Sequence, residues 1–482
     1  MRPLIHWSAR HVIAAVCGVA FASGCAQLAV PEAPSPTLAD AWQQPLPRTA
    51  LPLVPAARWW EAWNDPVLAR LIGAATAASP SAEAAAARAR QARAMLGMAI
   101  GGAWPIAQFN ASAARGDAGP GTPGAATTLP LSVAASWEID LWGRARFARE
   151  AAGRRLEARE LESRALVQTL AADTATLYVN LRVAQALLVG MVADRDSRRE
   201  TARLVGAKAE AGFEAPAQAA LARAALAEAE SRVVHQQAEI DRLLQPLAVV
   251  TTLPEAELRR LLAPPDTAAT EVLLPRPPGL ALPALPSELL RQRPDLRVLE
   301  LELAALAAEV GVAEAERYPT VTLTGSIGYT LTRRMGVSLD GATWGFGPAI
   351  VLPIFDAGRR GAAVERARAQ HDEVRANYRV LALQAVREVE HALLELRDNA
   401  ARAALQQQAL SGYQSFARAA EARLRAGVGS VLELEEARRA VLAARLATLE
   451  LERQRLLAWI GLHRATGGGV ETAVTASAGS GG

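Results

Sequence analysis

The sequence lacks the cysteines that would build a disulfide framework. Only two occur in 482 residues, and Cys17 lies within an apolar stretch that follows Arg2 and Arg10. A basic start, a short apolar run and small residues before Cys25 are typical of a secretory signal, which is too short to remain as a membrane-spanning helix. The exported chain would keep Cys25 alone, and one cysteine excludes an intrachain disulfide.

The common catalytic signatures are also missing. The sequence contains no phosphate-binding Walker loop, no dinucleotide fingerprint and no nucleophile elbow. Its six histidines show no pairing at metal-ligand spacing. These histidines are His6, His11, His235, His371, His391 and His463. We therefore predict no catalytic residue, no metal and no cofactor, and an enzyme is the least favoured class of function.

Aromatic residues are scarce, which favours closely packed helices. They make up 5% of the chain, whereas 51% of residues are hydrophobic and these are dominated by Ala, Leu and Val. Small and unbranched apolar residues suit helices that approach one another closely. The formal net charge is only +3, and no basic patch interleaved with aromatics is present, so we expect no nucleic-acid partner.

The two ends of the chain have the composition of targeting and tail segments. We assign residues 1–24 to the signal peptide and residues 25–66, rich in proline and tryptophan, to an extended strap. The stretch "FASGCAQ" resembles a bacterial lipobox, so we predict lipidation of Cys25, with ordinary cleavage nearby and a free thiol as the alternative. Acylation would tether the chain to a membrane surface. Residues 465–482 are predicted to be disordered.

Between these ends the sequence repeats itself at an interval of about 215 residues. Four pairs of landmarks share this interval. They are Pro80-Ser81 with Pro294-Asp295, Trp104-Pro105 with Tyr318-Pro319, Gly143-Arg144 with Gly358-Arg359, and Ala211-Gly212 with Ala426-Gly427. We interpret residues 67–245 and 286–464 as two copies of one plan: helix, strand, strand, very long helix and helix. A proline-rich linker at 246–285 would join them.

Each copy contains two stretches that alternate as strands do. The four stretches lie at about 106–115, 129–139, 320–331 and 344–354. One face is apolar and the other carries small or hydroxyl side chains, which fits a soluble sheet with one wet face and also fits an outer-membrane barrel. Four strands cannot close a barrel, and lipid does not accept an open sheet edge. Membrane insertion would therefore need two chains with eight strands or three chains with twelve.

The helices that follow the strands are unusually long. No glycine or proline occurs between Gly361 and Gly412, and fifty helical residues would extend roughly 75 Å. Apolar or small residues recur there in steps of three and four, which is typical of coiled-coil packing. They are Val386, Val389, Leu393, Leu396, Ala400 and Ala403. The pattern fits a helical bundle within one chain and also fits the wall of a tube built from many helices.

Several longer stretches together resemble one known family. The stretch 285–329, "LPSELLRQRPDLRVLELELAALAAEVGVAEAERYPTVTLTGSIGY", resembles the most characteristic segment of the outer-membrane efflux protein family. Residues 59–75, 136–146 and 347–360 match in order and spacing. Within this family, these stretches resemble those of the NodT-type lipoproteins that serve resistance–nodulation–division efflux pumps and are related to TolC and OprM. The resemblance covers nearly the whole mature chain.

This resemblance implies a mainly α-helical protein with transmembrane strands. Such proteins are homotrimers whose twelve-stranded β-barrel lies in the outer membrane of a Gram-negative bacterium and continues into a long α-helical barrel in the periplasm. The linker at 246–285 would contribute to a belt around the tunnel. The implied function is a passive channel of a tripartite efflux pump that exports drugs or other small solutes, with a periplasmic adaptor and an inner-membrane pump as partners. The alternatives are a type I secretion channel for proteins and a periplasmic coiled-coil scaffold without a pore.

Four residues are predicted to turn the chain between barrel and tunnel. Pro105 and Pro319 would end a helix and begin a strand, because proline cannot continue the helical hydrogen bonds. Gly143 and Gly358 would let a strand change direction into a long helix, because glycine adopts backbone conformations closed to other residues.

Four further residues are predicted near the periplasmic tip. Gly212 and Gly427 would break the long helices there. Glu436 and Arg439 occupy positions that in similar proteins carry an aspartate and an arginine near the closed tip, so they are the gate candidates. The alternative is an ordinary surface pair three residues apart, worth a few tenths of a kcal/mol.

Overall fold

The structure is a computed structural model of the chain, and it describes residues 41–44, 58–117, 125–263, 274–277, 292–334 and 337–467. The predicted signal peptide, Cys25 and the tail beyond residue 467 lie outside this part. The described elements are a 3-10 helix at Trp59–Trp63, α1 Pro66–Ala78, α2 Pro80–Gly101, β1 Ile106–Ala111, β2 Ala114–Asp117, β3 Ala125–Ile139, α3 Arg144–Glu210, α4 Pro216–Thr251, α5 Glu255–Leu262, α6 Pro294–Ala315, β4 Thr320–Arg334, β5 Val337–Val351, α7 Arg359–Arg425 and α8 Val431–Ala465.

These elements fall into two compact units. The first contains the strands and draws on Met95–Arg154 and Leu303–Glu373. The second is helical and draws on Ser35–Ala94, Arg155–Glu302 and Val374–Gly482. Each unit takes residues from both halves of the chain, so neither unit coincides with one of the two predicted copies.

The described strands of the first unit form one antiparallel sheet. Its order is β1-β3-β4-β5, and β2 also pairs with β3. β3 and β4, which come from different halves of the sequence, pair over most of their length from Ala126↔Arg334 to Ile139↔Val321. The sheet therefore joins the two halves of the chain through main-chain hydrogen bonds.

The strand predicted at 106–115 is interrupted in the structure. β1 ends at Ala111 and β2 begins at Ala114, although both pair with β3. The Ser112 N–H donates to the Pro130 carbonyl oxygen at 3.2 Å, but proline has no N–H to donate in return. The missing ladder hydrogen bond explains the break, which the single predicted strand did not include.

The other three strands were predicted in the right places with wrong limits. β3, β4 and β5 each have 15 residues. Toward their hairpin ends they include residues 125–128, 332–334 and 337–343, which were not part of the predicted stretches. β5 ends at Val351 rather than 354.

The prediction of very long helices is confirmed, and one predicted boundary is wrong. α3 and α7 have 67 residues each. α4 runs on through Pro246 to Thr251, so the linker predicted to start at 246 begins inside a helix. Leu244 and Leu247, on either side of this proline, are 3% and 0% exposed. Their burial offsets the hydrogen bond that an interior proline removes.

One described helix is long and apolar enough to cross a membrane by length and composition. It is α3, whose most apolar 18 residues have a mean hydropathy of 1.4 and are 39% buried. A core helix meets the same criterion, and α3 contributes Ala171, Ala175, Tyr178 and Leu181 to the core of the second unit.

Tryptophans concentrate in that core. Trp59, Trp60 and Trp63 are buried, and the rings of Trp59 and Trp459 lie 5.5 Å apart between centroids. The extended strap predicted at 25–66 is therefore wrong for its last residues, which form a packed 3-10 helix because three indole rings gain more from burial than from exposure.

Two carboxylates hold the described beginning of the chain to the helices. Oδ1 of Asp65 accepts the N–H groups of Val67 and Leu68 at 3.0 and 3.1 Å and so caps α1. Its Oδ2 accepts the Tyr178 hydroxyl at 2.6 Å. Burial raises the pKa of Tyr178 above its ordinary value, so this hydroxyl remains a donor. Glu390 of α7 accepts the backbone N–H groups of residues 43 and 44 at 2.6 and 3.0 Å.

Candidate functional site: a two-faced sheet and the turns of the long helices

The sheet has two faces of opposite character. Residues directly opposite one another in an antiparallel pair lie on the same face, so the register assigns each strand residue to a face. On the apolar face, Ile327 is 65% exposed, Trp344 76% and Phe346 80%. The other large exposed side chains of this face include Phe109, Leu129, Leu131, Val133, Leu323, Tyr329 and Leu331. No described residue covers this face.

The opposite face carries hydroxyl groups and small side chains along its middle, and Ile106, Val351 and Leu339 toward its ends. β4 contributes Thr322, Thr324 and Ser326 to this hydroxyl face, and β3 contributes Ser132 and Ser136. A depression of about 440 Å³ is lined mostly by this face. The hydroxyl face therefore contains a shallow depression near the middle of the sheet.

Both edges of the sheet lack a strand partner among the described residues. β1 and β2 form one edge and β5 forms the other. Unpaired N–H and C=O groups at a sheet edge cost several kcal/mol each when they are placed in lipid. A single chain therefore presents an apolar surface bounded by two sheet edges that have no partner among the described residues.

Aromatic residues fix the turns at the helical end of the sheet. Trp137 donates its indole N–H to the Ala103 carbonyl at 2.9 Å. Trp142 donates to the Pro319 carbonyl at 2.7 Å and stacks on Tyr318 with ring centroids 4.7 Å apart. These contacts connect the C-terminal end of β3 to the residues just before β1 and β4. The predicted turn residues Pro105 and Pro319 lie there.

Glycines and aspartates build the two turns from strand into long helix. Gly143 and Gly358 have φ angles of 80° and 85°, which lie in the left-handed region that favours glycine. Asp140 accepts the backbone N–H groups of residues 145 and 146 at 3.1 and 2.9 Å. Asp356 accepts those of residues 358 and 360 at 3.1 and 3.2 Å. The sequence analysis predicted the two glycines but not the two aspartates. Each aspartate lies three or four residues before a helix, which is close enough to accept N–H groups of the first turn.

The other ends of the long helices turn in a common way. Gly212 and Gly427 each have a φ of 78°. The residue after each glycine donates its N–H back to the helix, from Phe213 to Lys208 at 2.8 Å and from Val428 to Arg423 at 3.1 Å. Phe213 is 83% exposed and Val428 is 73% exposed. Each turn therefore presents one apolar side chain to the surroundings.

The two gate candidates lie on the exposed side of α8. Glu436 and Arg439 are both exposed, and the described residues offer no ion pair to either of them. In particular, they do not pair with each other across their spacing of three residues. Their immediate neighbours Glu435 and Arg438 are buried instead.

Glu435 and Arg438 belong to a buried cluster that sequence reasoning missed. Glu435 accepts a hydrogen bond from Arg198 of α3, and these side chains are 3% and 2% exposed. Arg198 also donates to Asp194 at 2.9 Å. Arg438 donates to Thr201 at 2.7 Å and to Glu435 at 3.3 Å.

The cluster connects three helices. Asp194, Arg198 and Thr201 follow one another at spacings of four and three, so they lie on one face of α3. Arg232 of α4 reaches Asp194 at 3.4 Å, and Nη2 of Arg198 has no hydrogen-bond partner among the described residues. Buried charges must be paired to be tolerated, so this cluster holds α3, α4 and α8 in one arrangement. A sequence signal was present, because Glu435 and Arg438 share the spacing of the buried Val431 and Leu434.

Among the described residues, no group of three or more His, Cys, Asp or Glu side chains could hold a metal ion. Of the described histidines, His371 is buried and His463 stacks on Trp459 with ring planes 5° apart. His235 and His391 are exposed.

Comparison with known proteins identifies the fold and the family. The outer-membrane channel OprN has this fold, with a TM-score of 0.79 and 28% identity over 91% of this chain and 99% of that chain. The fold is thus that of an outer-membrane channel protein. The family described as Outer membrane efflux protein matches residues 71–251 and 285–468, and the chain belongs to this family. The protein is therefore located in the outer membrane and extends into the periplasm.

Two relatives match over most of their length. Pyoverdine export outer membrane protein OpmQ of Pseudomonas putida is 31% identical over 447 residues, which are 89% of this chain and 91% of that protein. Nodulation protein T of Rhizobium leguminosarum bv. viciae is 28% identical over 431 residues, 88% of this chain and 86% of that protein. The predicted resemblance to NodT-type efflux proteins is confirmed.

Proposed function

We propose that the chain is one subunit of a homotrimeric channel that exports small solutes across the outer membrane. The observation that supports this most strongly is the uncovered apolar face of a sheet whose two edges are unpaired. Lipid would cover the apolar face, and neighbouring copies would pair with β5 and with β1 and β2. With β1 and β2 counted as one interrupted strand, three copies supply twelve strands and leave a lumen wide enough for solutes, whereas eight strands leave room only for side chains. The hydroxyl face would line this lumen.

The duplicated plan is part of this proposal. α3 and α7 have equal lengths of 67 residues, and α2 and α6 have 22 residues each. Equal pairs of helices from one chain would place similar surfaces at six positions around a three-fold axis. The long helices would thus form a wall that continues the barrel into the periplasm, with Pro105, Gly143, Pro319 and Gly358 at the change from barrel to helices.

The partners would meet the protein at the other ends of these helices. Phe213 and Val428 are exposed apolar side chains at the two helix turns, and contact with a partner would remove their apolar surface from water. We assign these turns to the contact with a periplasmic adaptor, which would link the channel to an inner-membrane pump. The channel itself would be passive, with energy supplied by the pump.

The cargo is assigned from the relatives. OpmQ is named for pyoverdine export, and a small solute of this kind fits the proposed conduit better than protein export does. Lipidation of Cys25 remains a prediction, since this residue lies outside the described part of the chain.

The assembly and its pore can be tested together. The full chain, purified from outer membranes in detergent, should run as a trimer until it is heated, and it should produce conductance steps in planar bilayers. Trimers without conductance would support the periplasmic scaffold. A water-soluble monomer would contradict the proposal.

A second test addresses the gate. We propose that Glu436 and Arg439, exposed in the single chain, form charge pairs with neighbouring subunits at the closed tip. Replacing both with alanine should raise the open probability in single-channel recordings, because the pairs that hold the tip closed would be lost. A matched control is the pair Arg88→Ala and Glu83→Ala on α2, both exposed and outside this region. Unchanged opening of the Glu436→Ala/Arg439→Ala channel would reject the gate assignment.

A further inference from the structure

Two arginines stand out on the apolar face of the sheet, close to its hairpin end. The register places Arg115 of β2 opposite Thr127 of β3, Thr127 opposite Arg333 of β4, and Arg333 opposite Ser338 of β5. These four residues therefore form one row across four strands on one face. Neighbouring strands lie about 4.8 Å apart, so the two arginine backbones are separated by roughly 10 Å with a threonine between them. We call these residues the arginine row.

Few carboxylates lie near the arginine row on the neighbouring strands. Arg115 and Arg333 are exposed, and neither forms an ion pair with the acidic side chains described on β3, β4 and β5. The nearest carboxylate of this face on β5 is Asp340, opposite Leu331, and it accepts the Tyr329 hydroxyl. The hairpin segments 118–124 and 335–336 contain no acidic residue. On β2, the register places Asp117 on the same face as Arg115, two residues closer to the hairpin end.

The surface beside the row is apolar. Toward the middle of the sheet, the same face continues with Leu129, Leu131 and Leu331, which are 36%, 44% and 37% exposed. An arginine at the middle of a lipid-facing strand costs about 2–4 kcal/mol, but near the membrane interface the cost falls to about 0–1 kcal/mol. Arg333 lies one residue from the end of β4, where the cost is small and a charged group outside the chain can reach it.

We propose that the arginine row binds the phosphate groups of lipopolysaccharide, the anionic glycolipid of the outer leaflet. This inference rests on the proposed function, which places the hairpin end of the sheet on the outer side of the membrane. Two guanidinium groups would donate charge-assisted hydrogen bonds to phosphate oxygens. The hydroxyls of Thr127 and Ser338 would supply further donors, and the acyl chains would lie along the leucines below.

The test uses the full chain purified from outer membranes and delipidated in detergent. Native mass spectrometry would measure binding of lipid A with both phosphates, of the same lipid A without phosphates, and of phosphatidylglycerol. We expect the phosphorylated lipid A to bind at least about tenfold more tightly than the dephosphorylated form, because two charge-assisted contacts depend on its phosphates. The variant Arg115→Gln/Arg333→Gln should lose this preference, and Arg115→Lys/Arg333→Lys should retain part of it.

Arg88→Gln/Arg90→Gln is the matched control, since both of these α2 arginines are exposed and carry no described ion pair. This control should keep the full preference. The proposal is overturned if the control loses as much as the test variant, if the test variant keeps the preference, or if phosphatidylglycerol binds as tightly as lipid A. Conductance of the same preparations distinguishes failure of the lipid site from failure of the proposed channel function. Conducting trimers without a lipid preference overturn the lipid site alone. The absence of trimers and of conductance overturns the proposed function.

Discussion

Replacing Glu435 with alanine is expected to destabilise the helical unit by about 3–5 kcal/mol. The substitution leaves Arg198, which is 2% exposed, as a buried charge that has lost its most buried partner. Arg438 loses one of its two hydrogen bonds at the same time. The measurement is the thermal unfolding midpoint of the detergent-solubilised protein, followed by helical circular dichroism.

An exposed glutamate of the same helical unit provides the control for this experiment. Glu83→Ala on α2 removes the same charge from an exposed position and should change stability by no more than about 0.5 kcal/mol. The double variant Arg198→Leu/Glu435→Leu should recover much of the loss, because it removes both members of the pair and leaves apolar groups in their place. Equal midpoints for Glu435→Ala and Glu83→Ala would show that the buried cluster does not hold the helices together.

Replacing Ile327 with arginine should prevent most of the protein from assembling in the outer membrane. Ile327 lies at the centre of β4, and its side chain is 65% exposed on the apolar face. An arginine facing the middle of the bilayer costs about 2–4 kcal/mol, and a trimer would bear that cost three times. The readout is the fraction of heat-resistant trimer in outer-membrane preparations.

Ser326, the residue next to Ile327 in β4, tests the opposite face of the sheet at almost the same depth. In the proposed channel, Ser326→Arg points into a water-filled lumen, so assembly should remain close to the wild-type level while the single-channel conductance changes. If Ser326→Arg blocked assembly and Ile327→Arg did not, the hydroxyl face rather than the apolar face would be in contact with lipid.

Local patterns in the sequence predicted most of the elements. The stretch without glycine or proline after Gly361 predicted a continuous helix, and the alternation of apolar and polar residues located β3, β4 and β5. Predictions failed where a contact distant in sequence decided the outcome. Pro130 interrupts the opposite strand at Ser112, and core packing around Leu244 and Leu247 carries α4 through Pro246.

The sequence predicted the residues of the candidate sites less completely than the helices and strands. Glycines with positive φ were found because few other residues adopt that conformation. The buried cluster of Arg198 and Glu435 was missed because its members are 237 residues apart, and charge alone does not tell a buried ion pair from an exposed one. Glu435 and Glu436 show how a shift of one residue on a helix moves a side chain from the core to the exposed side.

The sequence by itself determined the kinds of elements, the two-faced character of the strands and the family. These depend on local periodicity and on motifs that lie within short segments. The tertiary structure decided which strands are neighbours, that the tryptophans at 59–63 are packed rather than extended, and that Arg115 and Arg333 share one row. Pairing and burial of this kind depend on contacts between residues far apart in the chain, and the free energy of those contacts is settled only when the whole unit packs.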